Sequence, residues 1–175
     1  MQLLQLVLSH FHSKFHLTKC IIDTMSFPTT LSYLNDREAI EDALYRCVLG
    51  LDTADVTLFE SALIPDATFD LMGNVMKGLP EIQAGSFDKV SKLDTTHHLS
   101  NIRVNLEGLA NGTASVTASA MAQHYRPGEG NKPDTTRLLS GALYFVDVVK
   151  DKEVWKVKHF KAKMIWTEGD WGVFA

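Results

Sequence analysis

Cysteine is nearly absent: the chain holds only Cys20 and Cys47 among 175 residues. A far-separated pair without metal-type spacing makes neither a disulfide framework nor a thiolate metal site, and it fits a reducing, cytoplasmic setting. Long apolar runs are missing, so no stretch reads as a membrane span. Positive charge is not in surplus: 17 Lys and Arg face 21 Asp and Glu, for a net charge of -4. No basic tract interleaves with aromatics, which argues against a nucleic-acid partner. Gly128-Glu129-Gly130 lacks the strand–helix setting and the basic residue of a phosphate loop, and no serine stands in a nucleophile elbow. What remains is 45% apolar and 22% charged, in a length that suits one folded domain and not two.

Residues 1–24 differ from the rest. Their apolar run at Leu3–Leu8 is broken by Gln5, and Lys14 and Lys19 follow it, the wrong order for a secretory signal. His10, His12 and His16 could imitate a metal site, but metal binding is not expected of them. The segment reads as an N-terminal extension, with a single domain over 25–175.

The domain opens with a helix over about 36–51. Asn35 is placed to cap it, Glu38 completes a capping box, and Ile40, Ala43, Leu44, Cys47, Val48 and Leu51 form one apolar stripe. A second short helix runs from Val56 to Leu63 and stops at Pro65; a strand spans 67–72, and Pro80 opens a third helix. The period then changes to two. Residues 97–106 alternate, 107–112 form a turn with an Asn-Gly pair, and 113–125 alternate with Ala114, Val116, Ala118, Ala120, Ala122 and His124 on one face. Two more strands follow, over about 138–149 and 154–166. Helices first and long strands after them predict an α+β fold: a curved, cone-shaped antiparallel sheet with helices packed on its concave face. Such a cone holds one small molecule.

Three polar residues stand on apolar faces, where an unpartnered group costs roughly 1–3 kcal/mol. Asp52 continues the stripe of the first helix, although it could equally cap the second. His98 shares its parity with Ile102, Val104 and Leu106, which sends His97 to the other face unless a bulge intervenes. His124 continues the row of alanines, a row that either makes room for a ligand or packs under a close helix. Imidazole titrates near neutrality and an adjacent carboxylate orients it, so this trio suits proton transfer.

In order and spacing, 36–42 (DREAIED), Leu51-Asp52, 66–70 (DATFD), 95–99 (TTHHL) and 154–157 (VWKV) resemble the SnoaL-like branch of the nuclear-transport-factor-two-like superfamily, over about 33–170. Within it, the detailed similarity is to the scytalone dehydratases of fungal melanin synthesis. The resemblance implies a cone-shaped α+β barrel, and a homo-oligomer, dimer or trimer, built on the open sheet face. It places Asp52 as the partner that orients His124, and His98 as the other pocket histidine. Two tyrosines that hold the carbonyl-polarising water in those dehydratases are Leu51 and Leu71 here, and Leu143 or Tyr144 stands near their pocket asparagine. Scytalone itself is therefore a poor substrate for this chain.

Together these features predict an acid–base enzyme needing neither metal nor organic cofactor. It would be a dehydratase, isomerase or cyclase acting on a small hydrophobic carbonyl compound of polyketide or terpenoid type. His124 would be the base, His98 the acid and Asp52 the orienting group, with Tyr45, Phe69, Ala122, Tyr144 and Trp166 lining the pocket. A non-catalytic ligand-binding or dimerisation module of the same fold is the alternative. Expression of residues 25–175 should give a soluble protein with an unchanged melting temperature; loss of folding would show that the extension packs on the domain.

Overall fold

The computed structural model describes residues 26–175. The extension and its histidines lie outside the described residues.

Helix α1 (Asp36–Asp52) starts as its capping box dictates. Asn35 accepts the Glu38 N–H at 3.1 Å, and the Glu38 carboxylate accepts the Asn35 N–H at 2.9 Å. Helix α2 (Val56–Ser61) is shorter than its pattern suggests, and Asp55 caps it by accepting the Leu58 N–H at 2.9 Å. Asp52 is thereby free of the capping role. The two helices touch at Gly50, where a Cβ would lie 2.6 Å from the Phe59 nitrogen.

Strand β1 (Leu63–Leu71) begins earlier than expected and runs through Pro65. Its pairing slips between Leu63 and Thr68, so the missing proline N–H falls where the ladder is already irregular. A two-residue turn, Met72 and Gly73 at positive φ, leads into β2 (Asn74–Lys77). The sequence pattern did not show β2, because methionine at positive φ is not a turn signal. Helix α3 (Leu79–Ile82), with Pro80 in its first turn, passes through a wide π turn (Gln83–Phe87) into α4 (Asp88–Val90). The long strands β3 (Asp94–Asn105), β4 (Thr113–Tyr125), β5 (Arg137–Asp151) and β6 (Val154–Gly169) follow, and a 3-10 turn (Trp171–Phe174) ends the chain.

The strands form one sheet in the order β2-β1-β6-β5-β4-β3. Every neighbouring pair is antiparallel except β1–β6, so the expected antiparallel sheet carries one parallel pair. Helix α1 shows why the sheet curls. Arg37 donates to the Val104 carbonyl of β3 at 3.2 Å, while Arg46 donates to the Trp155 carbonyl of β6 at 2.7 Å. Trp155 returns its indole N–H to Asp36 at 2.9 Å. One helix can reach β3 and β6, which two other strands separate, only if the sheet wraps around it. The core fills the resulting concavity: Ile40, Leu44, Phe59, Phe69, Trp155 and Val157 are all fully enclosed.

Arg46 is a buried cation that the apolar pattern hides. It pairs with Asp42 at 2.8 Å, holds the Ser61 carbonyl and hydroxyl, and so ties α1, the end of α2 and β6 together. β3 and β4 change register between Ser100 and Arg103, where three steps of β3 oppose two of β4 and Asn101 takes φ 51°. This is a β-bulge, and it reverses which parity of β3 faces inward.

Gly50→Ala should destabilise the fold by about 1–3 kcal/mol, since the α1–α2 contact has no room for a methyl. Chemical denaturation of the variant checks this.

Candidate active site

Asp52 is the last residue of α1, and its carboxylate reaches across to β3. One oxygen accepts the His97 backbone N–H at 2.8 Å and the other accepts the His97 ring Nδ1–H at 2.6 Å. A carboxylate only accepts here, so Nδ1 carries the proton and Nε2 keeps its lone pair in the neutral ring. Gripped at both backbone and ring, His97 has its orientation fixed. Its side chain is 7% exposed and that of Asp52 12%.

Strand parity counted from Ile102 therefore points to the wrong neighbour. His98 is exposed on the outer face and His97 points inward, because the bulge after Ser100 puts His97 and Leu99 on the same side as Ile102 and Val104. Asp52 correspondingly orients His97 and not His124. Nothing interrupts β4, and His124 faces inward as its alternation requires. Thr95, two residues before His97 on the same face, meets His124 through a contact of 2.7 Å between its hydroxyl and Nδ1. The two imidazoles stand edge to face, 5.5 Å between centroids. Phe174 from the terminal turn packs 5.3 Å from the His124 ring.

Both rings border a cavity of about 140 Å³. Its floor is made of small side chains, Ala120, Ala122, Ala142 and Ala162, and its rim includes Leu71, Trp171 and Phe174. The alanine row of β4 thus divides its work: Ala114 and Ala118 belong to the core, whereas Ala120 and Ala122 open onto the cavity. Tyr144 faces inward and lines the cavity, while Leu143 is turned outward.

Three expected lining residues lie elsewhere. Tyr45 is 43% exposed on α1, off the buried stripe. Phe69 is locked in the core, stacked 4.8 Å from Phe160 and edge-on to Phe59. Trp166 lies against Gly141 outside the cavity, at the register slip between β5 and β6. Thr95, Ser140 and Phe174 were missed. Thr95 carried a usable signal in its parity with His97; Phe174 carried none, since nothing in a four-residue terminus states what it covers. A larger depression of about 450 Å³ lies at the opposite end of the β3–β4 hairpin, by Glu107 and Thr113, away from both histidines.

His124 is 6% exposed. Burial, then the neighbouring His97, pushes its pKa down to about 4, against a weaker upward pull from Asp52. An unfolded histidine titrates near 6.5, so between these values the unfolded chain binds a proton that the native ring refuses. Stability present above pH 6.5 should therefore fall as the pH drops, by up to about 3 kcal/mol near pH 4. His124→Asn should flatten that slope, as seen by denaturant unfolding at a series of pH values.

Comparison with known proteins agrees with this architecture. Residues 32–161 match the SnoaL-like domain. The terrestric acid biosynthesis cluster protein E of Penicillium crustosum is 50% identical over 143 residues, 81% of this chain and 90% of that protein. A scytalone dehydratase-like protein from Novosphingobium aromaticivorans superimposes with a TM-score of 0.65 at 20% identity, covering 77% of this chain and 87% of its own. The hexachlorocyclohexane dehydrochlorinase LinA-type3 of Novosphingobium barchaimii gives 0.62 at 22% identity, with 78% and 90% covered. At such identities the solved structures establish the fold alone. The family match spans most of the chain: this protein belongs to the SnoaL-like domain family.

Proposed function

We propose that the chain is a cofactor-independent acid–base enzyme of secondary metabolism, a lyase or isomerase acting on a small, enolisable carbonyl compound. The Asp52–His97 pair carries this reading. A carboxylate holding Nδ1–H leaves Nε2 as a base on the wall of a mostly apolar cavity, and it stabilises the positive ring that forms when a proton arrives. His97 Nε2 takes the proton from the carbon beside the carbonyl, and the C–H electrons move onto the carbonyl oxygen. The imidazolium then returns that proton, either to a β-hydroxyl that leaves as water or to another carbon of the same skeleton. His124, kept neutral by burial, serves as a hydrogen-bonding partner and not as a second charge. Each such proton transfer contributes about 10²–10⁴-fold.

The setting comes from the Penicillium crustosum relative, which is named for a natural-product biosynthesis cluster. No helix among the described residues is long and apolar enough to cross a membrane. Met121, Leu143, Phe145, Ile165 and Trp166 leave large apolar side chains half-exposed, which supports a homo-oligomer packed through the open sheet face.

Deletion of the gene in its producing organism should remove the final metabolite and accumulate a precursor that differs from the product by one water or not at all. Reintroducing the wild-type gene should restore the product; His97→Ala should not, although the variant stays folded, with a melting temperature lowered by the lost ring contact to Asp52. The purified variant should convert the precursor at least about a hundredfold more slowly. Full restoration by folded His97→Ala would show a binding module in place of an enzyme.

A further inference from the structure

Tyr144 is a buried hydroxyl that the acid–base pair does not use. It sits on the inward face of β5, 8% exposed, and its ring is wedged edge-on against Phe160 at 4.7 Å. It lines the same cavity as His97 and His124. No hydrogen bond to its hydroxyl is found among the described residues, yet none of their fully enclosed side-chain polar atoms lacks a partner. The hydroxyl must therefore keep some open surface, and the cavity it lines supplies it.

The other polar side chains around that space are partly engaged. His97 gives Nδ1 to Asp52, His124 gives Nδ1 to Thr95, and Ser140 leans on the Ala122 carbonyl at 3.4 Å. Tyr144 is the hydroxyl donor without a protein partner there. We propose that the Tyr144 hydroxyl donates the hydrogen bond that holds and polarises the carbonyl oxygen of the ligand, in the cavity that the His97 base also lines. This assignment rests on the acid–base reading above and adds its electrophilic half. Burial raises the phenol well above its ordinary pKa, and nearby Cys47 and Asp52 reinforce the effect, so it stays protonated as a donor. When the C–H proton moves to His97, negative charge grows on the carbonyl oxygen, and a preorganised donor in a dry site stabilises it more than it stabilises the resting ketone. No Lys or Arg lines the cavity, so the group it receives is a neutral ketone, ester or lactone and not a carboxylate.

Tyr144→Phe keeps the ring and removes only the donor. Its melting temperature should stay level or rise, because a hydroxyl without a protein partner contributes no stability. Acetophenone serves as a ketone probe and α-methylstyrene as its oxygen-free isostere. The wild-type protein should bind acetophenone with a lowered C=O stretching frequency; in Tyr144→Phe the shift should vanish and affinity should fall about tenfold. The isostere should bind both proteins alike. With the precursor accumulated by the gene deletion, Tyr144→Phe should lose about 10²–10³-fold in kcat with KM little changed.

An unchanged stretch and affinity in Tyr144→Phe would overturn the assignment, as would failure of the wild-type protein to bind acetophenone. So would a melting temperature several degrees lower, which would expose a structural bond. His97→Ala separates the two ideas: it should keep the carbonyl shift while losing turnover. Full turnover in that variant would sink the base without touching the donor.

Discussion

The carboxylate of Asp52 joins the end of α1 to the beginning of β3, and both the curvature of the sheet and the setting of the cavity histidines depend on that join. A sheet of long antiparallel strands twists on its own, but twist alone does not decide how tightly it coils. Here α1 is held at Val104 near one end of β3, at His97 near the other, and at Trp155 on β6. The edge strand is thereby drawn over the helix. The same two oxygen atoms that close the sheet also set the tautomer of His97. One side chain thus holds both a strand and a ring, so substitutions at Asp52 and His97 have different structural meanings. Loss of Asp52 frees a strand as well as a ring; loss of His97 removes the ring and leaves the backbone contact from its N–H in place.

Two histidines 5.5 Å apart would be poor neighbours if both were charged. The fold separates them by environment. His97 faces a carboxylate, which can offset a positive ring; His124 faces the Thr95 hydroxyl and the Phe174 ring, which cannot. His124 therefore remains neutral over the range in which ordinary histidines titrate. Two residues of one type thus stand in one pocket in different electrostatic settings.

Much of this was legible in the residues. Asn35 and Glu38 announced α1, the alternation of β4 placed His124 and the alanine row inward, and Asp52 stood out as a charge on an apolar stripe. The failure at His98 has a definite cause. Parity carries information only along an unbroken ladder, and one extra residue near Asn101 inverts it. Ile102, Val104 and Leu106 were sound witnesses for their own end of β3 and false ones for the other. Asn101 at positive φ is a residue type that tolerates this conformation, but no local pattern distinguishes it from an ordinary strand asparagine. Aromatic positions were less legible still. Phe69 and Trp166 are strand residues whose surroundings depend on which strand lies beside them, and the parallel β1–β6 pairing that stacks Phe69 on Phe160 is not written in either strand.

The chain's last residues complete the cavity by contacts that no periodicity encodes. Gly169 takes φ 108° and passes so close to Arg137 that its missing Cβ would lie 2.1 Å from that carbonyl oxygen, which turns the chain out of the sheet and back across its mouth. Asp170 caps the terminal turn through the Gly172 N–H at 2.8 Å, and Arg126, two residues after His124, donates to the Gly172 carbonyl at 3.0 Å. These polar fastenings all lie on the outside of the turn, and they leave Trp171 and Phe174 to face the cavity. Phe174 then supplies part of the apolar surround that desolvates His124. The neutrality of that ring is thus a property of the terminus as much as of β4: the strand sets the direction of His124, and the terminal turn helps set its charge.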